Sequence, residues 1–503
     1  MAIQEKSSWQ ILRTMGIIGG SSLIVVIFRI VRMKVFAVLL GPAGVGLIGI
    51  YQSIMSTAGT ISGMGVPSSG VRQIAEANGT GDVRGIANAL FTLRWITVVL
   101  AVGGALGLFL LREPVSRWTF GNDNYITAVA VISIGVLFTI VSGSQRALLN
   151  GLRRISNLAR INVISSFTGT IVVIIIVWLL CERGIVYAVV ALVLVTVITS
   201  WWYVRQVPRP RSKPSWPEVK TQTFSLLGLG LAFMLSSLMI VAALLLVRVI
   251  ILDRFGMVAT GYFQAAWGIA VLYIDFILKA MGTDFYPHLT ACIKDQAEGN
   301  RLVNEQTEVA LLLGGPLIIG MITFAPFVIQ LLYSAEFRVA TEILRWQMLG
   351  NILKITSWPL GYIIMAQAWG KTFFFTELLW TASYVGGVYL GSRYYGINIV
   401  GYAFCASYLI YLILLYVITN RFQGFTWARM NIGLTATLFT AGVSIMVATS
   451  RNVLVGYLVG GLLTFMFGVF SLRKLYAMVE TGTIKQMARS MWMKIKTFAR
   501  IRP

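Results

Sequence analysis

The second half of this chain repeats its first. Ser21-Ser22-Leu23 returns as Ser236-Ser237-Leu238, and Gly41…Gly46 returns as Gly256…Gly261, all at one ungapped offset of 215 residues. Farther on, Met64-Gly65 is echoed by Met281-Gly282, with the offset longer by two. The matched segments are hydrophobic, so the pattern is that of a membrane protein built from two similar halves. Duplicated bundles of this kind place their substrate site between the halves, near mid-membrane. The repeat therefore points to a transporter.

Composition agrees. Of 503 residues, 57% are hydrophobic and 12% charged, with a mean hydropathy of +0.80, which leaves too little polar surface for a soluble protein. Lys and Arg number 41 against 18 Asp and Glu. In a soluble chain that excess would suggest nucleic acid; here it is topological, because cytoplasmic loops accumulate Lys and Arg. Cys181, Cys292 and Cys405 are scattered, with no C-x-x-C spacing. No signal-peptide pattern precedes the first apolar run, which is expected to stay.

A bilayer-crossing helix needs roughly 20 apolar residues. Fourteen such spans are read near 15–40, 44–63, 86–111, 124–146, 158–181, 185–206, 223–252, 258–282, 304–333, 340–366, 372–391, 397–420, 430–449 and 452–472. A barrel would alternate apolar with polar residues, so the class is all-α integral membrane. With the N-terminus inside, 26 of the 41 basic residues fall on the cytoplasmic side and seven opposite, which predicts N-in/C-in topology and an even number of spans. The basic, Pro-rich segment from Val207 to Pro217 cannot be helical throughout and stands where the repeat restarts. The predicted organisation is a first lobe of six spans over 1–206, a linker over 207–222, and a second six-span lobe over 223–424. Spans thirteen and fourteen follow over 425–472, then a basic tail over 473–503. In that tail Ile484, Met487, Met491, Ile495 and Phe498 recur at three- and four-residue steps among Lys and Arg, predicting an amphipathic helix on anionic headgroups.

Eight basic residues remain inside spans: Arg29, Arg32, Lys34, Arg94, Arg248, Lys279, Arg345 and Lys354. A charge at the bilayer centre costs about 2.5–3.5 kcal/mol on insertion scales, so it is expected to face a polar interior. For Arg94, Lys279 and Arg345, near span ends, snorkelling or ion pairing competes with substrate contact. Asp275 with Lys279 and Glu342 with Arg345 are spaced for such pairs. Arg29 and Arg32 share one helical face, and neither they nor Lys34 have an acidic residue in their span. Arg248 occupies the repeat position of Met33, and Lys354 adds a cation in span ten. These five are expected to form a lumenal cationic site for a phosphate-bearing substrate. Glu377 and Asp275, with Asp284 just beyond span eight, are the carboxylates available for H⁺ or Na⁺ coupling. Gly41-Pro-Ala-Gly-Val-Gly46 lacks the Lys-Ser/Thr and preceding strand of a phosphate loop and reads as a tight turn. With His288 the single His and no nucleophile–base set, neither a multi-His metal site nor an enzyme is expected.

The segment from Arg32 to Gln52, Arg-Met-Lys-Val-Phe-Ala-Val-Leu-Leu-Gly-Pro-Ala-Gly-Val-Gly-Leu-Ile-Gly-Ile-Tyr-Gln, continued by Gly63-Met-Gly-Val-Pro-Ser-Ser-Gly70, resembles the opening of bacterial polysaccharide flippases of the Wzx type. Gly261-Tyr-Phe-Gln-Ala-Ala-Trp267 and Asp284-Phe-Tyr-Pro-His-Leu289 resemble the start of their second lobe. These flippases belong to the multidrug/oligosaccharidyl-lipid/polysaccharide exporter (MOP) superfamily. The resemblance implies two six-helix lobes in a V around a central cationic cavity, in the bacterial inner membrane. It implies a monomer that moves an undecaprenyl-diphosphate-linked oligosaccharide, an O-antigen or common-antigen repeat unit, by alternating access. Membrane lipids and the polysaccharide polymerase and chain-length machinery are its implied partners; no cofactor and no nucleic acid are. Fourteen spans exceed the twelve common in the family and are shared with the lipid II flippase. The rival readings are a cation-coupled multidrug exporter of the same superfamily, a lipid II-type flippase and a non-transporting scaffold.

Overall fold

A computed structural model describes residues 2–80, 83–207 and 216–481, with side-chain surroundings for all of these but 2–19, 80, 83, 273, 275–277, 279–280, 282–284 and 479–481. The predicted tail helix beyond residue 481 and most of the Pro-rich linker lie outside the described residues.

Among the described residues all regular structure is helical. Fourteen α-helices run α1 (Ala2–Gly63), α2 (Val66–Thr80), α3 (Val83–Leu110), α4 (Arg112–Phe120), α5 (Ile126–Gly151), α6 (Ile155–Leu180), α7 (Ile185–Val204), α8 (Trp216–Cys292), α9 (Gln296–Leu332), α10 (Ala340–Ala366), α11 (Gly370–Gly391), α12 (Ile399–Gln423), α13 (Arg429–Arg451) and α14 (Val453–Thr481). Eight helical stretches among the described residues are long and apolar enough to cross a membrane; α1, α10 and α11 are not among them. One of the eight, Trp216–Leu272, would be about 85 Å long if straight, nearly three bilayer cores. This is a multi-pass membrane protein. Two helices arise where the sequence suggests loops: α2, which is amphipathic, and the short α4.

The repeat is visible in the backbone. α1 breaks at Gly41 (φ 61°, ψ −170°) and α8 at Gly256 (φ 82°, ψ −178°), the two glycines related by the 215-residue offset. Only glycine enters this region without strain. Pro42 follows the first break, its fixed φ suited to a first helical turn. Arg29 and Gln52 line one cavity although 23 residues would separate them by about 35 Å on a straight helix, so α1 is a hairpin about Gly41. Leu244 and Trp267, their repeat equivalents, place α8 in the same form about Gly256. The later echo does not persist in the backbone: Met64 and Gly65 leave the helix with φ 46° and 65°, whereas α8 runs helically through Met281-Gly282.

α1 packs most extensively on α8; α3, α5, α6 and α7 gather with α1, while α9 to α12 gather with α8. α13 and α14 lean on α9. At the hairpin end, a Cβ on Gly46 would lie 2.6 Å from the Met257 carbonyl oxygen, and one on Gly261 would collide with Pro42. At the far end of the second arm of α1, Gly65 and Gly230 meet the same way, backbone against backbone. Beside that contact Thr92 donates to Gln222 at 3.1 Å and Asn88 to Glu218 at 3.3 Å, tying α3 to the start of α8.

Candidate functional site

Each hairpin walls a cavity. The α1 cavity, about 290 Å³, is lined by Val25, Arg29, Arg32, Gln52 and Ser166, and reaches Gln264 and Gly268 of α8. It shares Val25, Arg29, Arg32 and Ser166 with a space of about 540 Å³ bounded by α5, α6 and α7. There Arg146 joins the two α1 arginines, with Asn162, Ser165 and Thr196. Three guanidinium groups thus face one compartment, and among the described residues no Asp or Glu lines it. In low dielectric such like charges favour a polyanion in that space, and Arg presents the fork that matches phosphate oxygens. Arg146 is missing from the expected set because, read from sequence, it marks the end of span four. α5 continues to Gly151, which carries Arg146 inward by more than a turn. The polar spacing Asn162, Ser165, Ser166 on the facing helix is the signal that could have found it.

The α8 cavity, about 430 Å³, lies among α8, α10, α11 and α12. Lys354 and Glu377 line it with Trp267, Trp358, Trp380 and Tyr411. Tyr411 donates its hydroxyl to Glu377 Oε1 at 2.6 Å, and Lys354 interacts electrostatically with the same carboxylate. The rings brace one another: Trp358 and Tyr362 lie edge to face at 4.5 Å, and Trp380 and Tyr408 tilt together at 5.4 Å. The indole N–H of Trp380, a residue only 6% exposed, finds no acceptor among the described residues.

The remaining predicted residues lie elsewhere. Lys34 leaves the lumen and donates to the Gln330 carbonyl at 3.1 Å and to that of Tyr333, the last turn of α9. A cation on the negative end of a helix completes carbonyls that have no intrahelical donor. Arg248 is 5% exposed and lines neither cavity. It donates to Ser53 Oγ at 2.7 Å and to Gln264 Oε1 at 2.6 and 3.2 Å, bonding the two hairpins through neutral groups. Arg345 pairs with Glu342 at 2.8 Å as its spacing suggests, and donates Nε to the Ile322 carbonyl at 3.1 Å. That carbonyl lacks its usual helical partner because position 326 is proline, and α9 departs from helical geometry at Phe324 (φ −96°, ψ 15°). Arg94 is exposed on α3, away from both cavities, and makes interactions of its own. The side chains of Asp275, Lys279 and Asp284 lie outside the described set.

Residues 35–342 match the family described as "Polysaccharide biosynthesis protein". The chain belongs to that family. The membership agrees with the resemblance carried by the Arg32–Gln52 segment. A curated relative, the lipid III flippase of Escherichia coli (strain K12), is 22% identical over 381 residues, covering 73% of this chain and 86% of the relative. Among solved structures, the lipid II flippase MurJ in an inward closed conformation superposes with a TM-score of 0.68 at 15% identity, covering 91% of this chain and 99% of that one. An inward-facing multidrug resistance MATE family transporter of the MOP superfamily gives 0.68 at 16% identity, over 80% of this chain and 94% of that one. The fold is that of the MOP superfamily, and the relatives are transporters rather than enzymes.

Proposed function

We propose that this protein flips a lipid-linked oligosaccharide across the bacterial inner membrane. The observation that carries the reading is the cluster of Arg29, Arg32 and Arg146 with no lining carboxylate among the described residues. A diphosphate linker is a compact dianion of the kind three such forks hold. The lipid III flippase relative and the lipid II flippase neighbour support the same substrate class. A multidrug exporter for cationic compounds would be repelled from this compartment. On this reading fourteen spans make two six-helix lobes in a V, with both termini inside and two added spans, α13 and α14. The lobes rock about the 207–222 linker, opening first to the cytoplasm and then to the periplasm. The prenyl tail stays in the bilayer while the undecaprenyl diphosphate and glycan cross the lumen. Any H⁺ or Na⁺ coupling falls to Glu377 among the lining residues.

The test is complementation of a flippase-null strain with Arg29→Ala, Arg32→Ala and Arg146→Ala, checked for expression and monodispersity. Each lost charge-assisted contact is expected to lower surface polysaccharide about tenfold or more, with partial rescue by Lys, which restores charge but not the fork. Normal polysaccharide from the Arg29→Ala/Arg32→Ala double variant overturns the reading.

A further inference from the structure

The two cavities are equivalents. Val25, Arg29 and Gln52 wall the first; adding the 215-residue offset gives Ile240, Leu244 and Trp267, and all three wall the second. The first place is aliphatic in both halves, while the other two carry a cation and an amide in one half and an aliphatic and an indole in the other. One half presents a guanidinium at this place; its twin presents none. In the twin, Lys354 and Glu377 offset each other's charge, so the pocket offers hydrogen-bonding groups without net charge.

From this divergence, and resting on the flippase reading, we propose that the α8 cavity is a glycosyl subsite. It takes one uncharged pyranose of the head group, separate from the diphosphate compartment. A pyranose presents an apolar C–H face and a rim of hydroxyls. The cavity answers the first with Trp267, Trp358 and Tyr408 and the second with Glu377, Lys354 and Tyr411. Glu377 accepts from a sugar hydroxyl, Lys354 donates, and the Trp380 indole N–H is a further donor that has no acceptor among the described residues. An aromatic wall braced ring against ring is pre-ordered, so stacking a sugar on it immobilises little that was free. The volume, about 430 Å³, falls within the 300–1,000 Å³ range of small-ligand clefts. Val271 borders both this cavity and the arginine compartment, which places the two subsites side by side, as the sugar and diphosphate of one head group require.

The experiment measures equilibrium binding to the full chain in nanodiscs, with no ion gradient. Two probes are compared: bare undecaprenyl diphosphate, and the same lipid carrying one N-acetylhexosamine. The wild type is expected to bind the glycosylated probe about tenfold more tightly. Trp267→Leu should abolish that preference while binding the bare lipid as the wild type does; Glu377→Gln, which weakens the acceptor and unmasks Lys354, should reduce the preference about tenfold without weakening the bare lipid. Arg29→Ala should weaken both probes alike and leave the preference intact. Equal wild-type affinity for the two probes, or a preference that survives both variants, overturns the subsite and leaves the flippase reading standing. Failure of the wild type to bind either probe overturns the flippase reading, and the subsite with it. Because Glu377→Gln is nearly isosteric, it decides the matter even where Trp267→Leu fails to fold.

Discussion

Arg345 bridges a gap that Pro326 makes, and this is testable as an energetic coupling. Pro326 denies the Ile322 carbonyl its helical donor, and the guanidinium of Arg345, a residue 4% exposed, supplies one from α10 at 3.1 Å. Replacing Arg345 by Met keeps an unbranched apolar stem and removes every donor. The lost bond from a charged donor to a fully buried carbonyl is worth about 1.5–3 kcal/mol. The pair with Glu342, whose carboxylate is 46% exposed, adds about 0–1 kcal/mol. Removing Nη2, which is buried without a partner, returns about 1 kcal/mol or more. The net for Arg345→Met is therefore about 0.5–3 kcal/mol of destabilisation. Pro326→Ala restores an N–H that can serve Ile322, so in that background Arg345→Met should cost little. A double-mutant cycle over the four proteins, read by denaturant unfolding in micelles, is expected to give a coupling of about 1.5–3 kcal/mol. Additivity to within about 0.5 kcal/mol refutes the assignment.

Two further outcomes follow from the contacts between halves. Gly65→Ala and Gly230→Ala should each lower transport about tenfold or more, because the added Cβ overlaps the facing main chain; full transport from both would show that this contact never closes. Lys34→Met should lower the thermal midpoint while reducing transport far less than Arg29→Ala. Abolished transport with unchanged melting would make Lys34 a ligand and not a helix cap.

The sequence is legible wherever a feature depends on spacing alone. The 215-residue offset anticipates two glycine breaks of the same left-handed geometry, and the three-residue step from Arg29 to Arg32 puts both in one compartment. Where it misleads, the reason is consistent. Lys34 and Arg248 look unneutralised, and the correctly read Arg345–Glu342 pair hides a second bond, because only acidic residues can be counted along a chain. The folded protein serves them largely with main-chain carbonyls, a glutamine and a serine, groups present in every span and invisible to a charge tally. Arg146 escapes for the opposite reason, since a helix end misplaced by five residues turns a lumenal cation into a loop charge.

Where Gly65 meets Gly230, and where Gly46 meets Gly261, the halves touch main chain to main chain. A joint between side chains holds rotamers, and parting it means sorting them into a new arrangement before either face can rest against water or lipid. These joints hold none, so parting them needs no repacking at the glycines themselves, only release of the Thr92–Gln222 and Asn88–Glu218 bonds beside them. The same bareness leaves the protein no latitude there. Its lumen can exchange side chains to suit another cargo, whereas any carbon added at these four positions is a wedge between the halves.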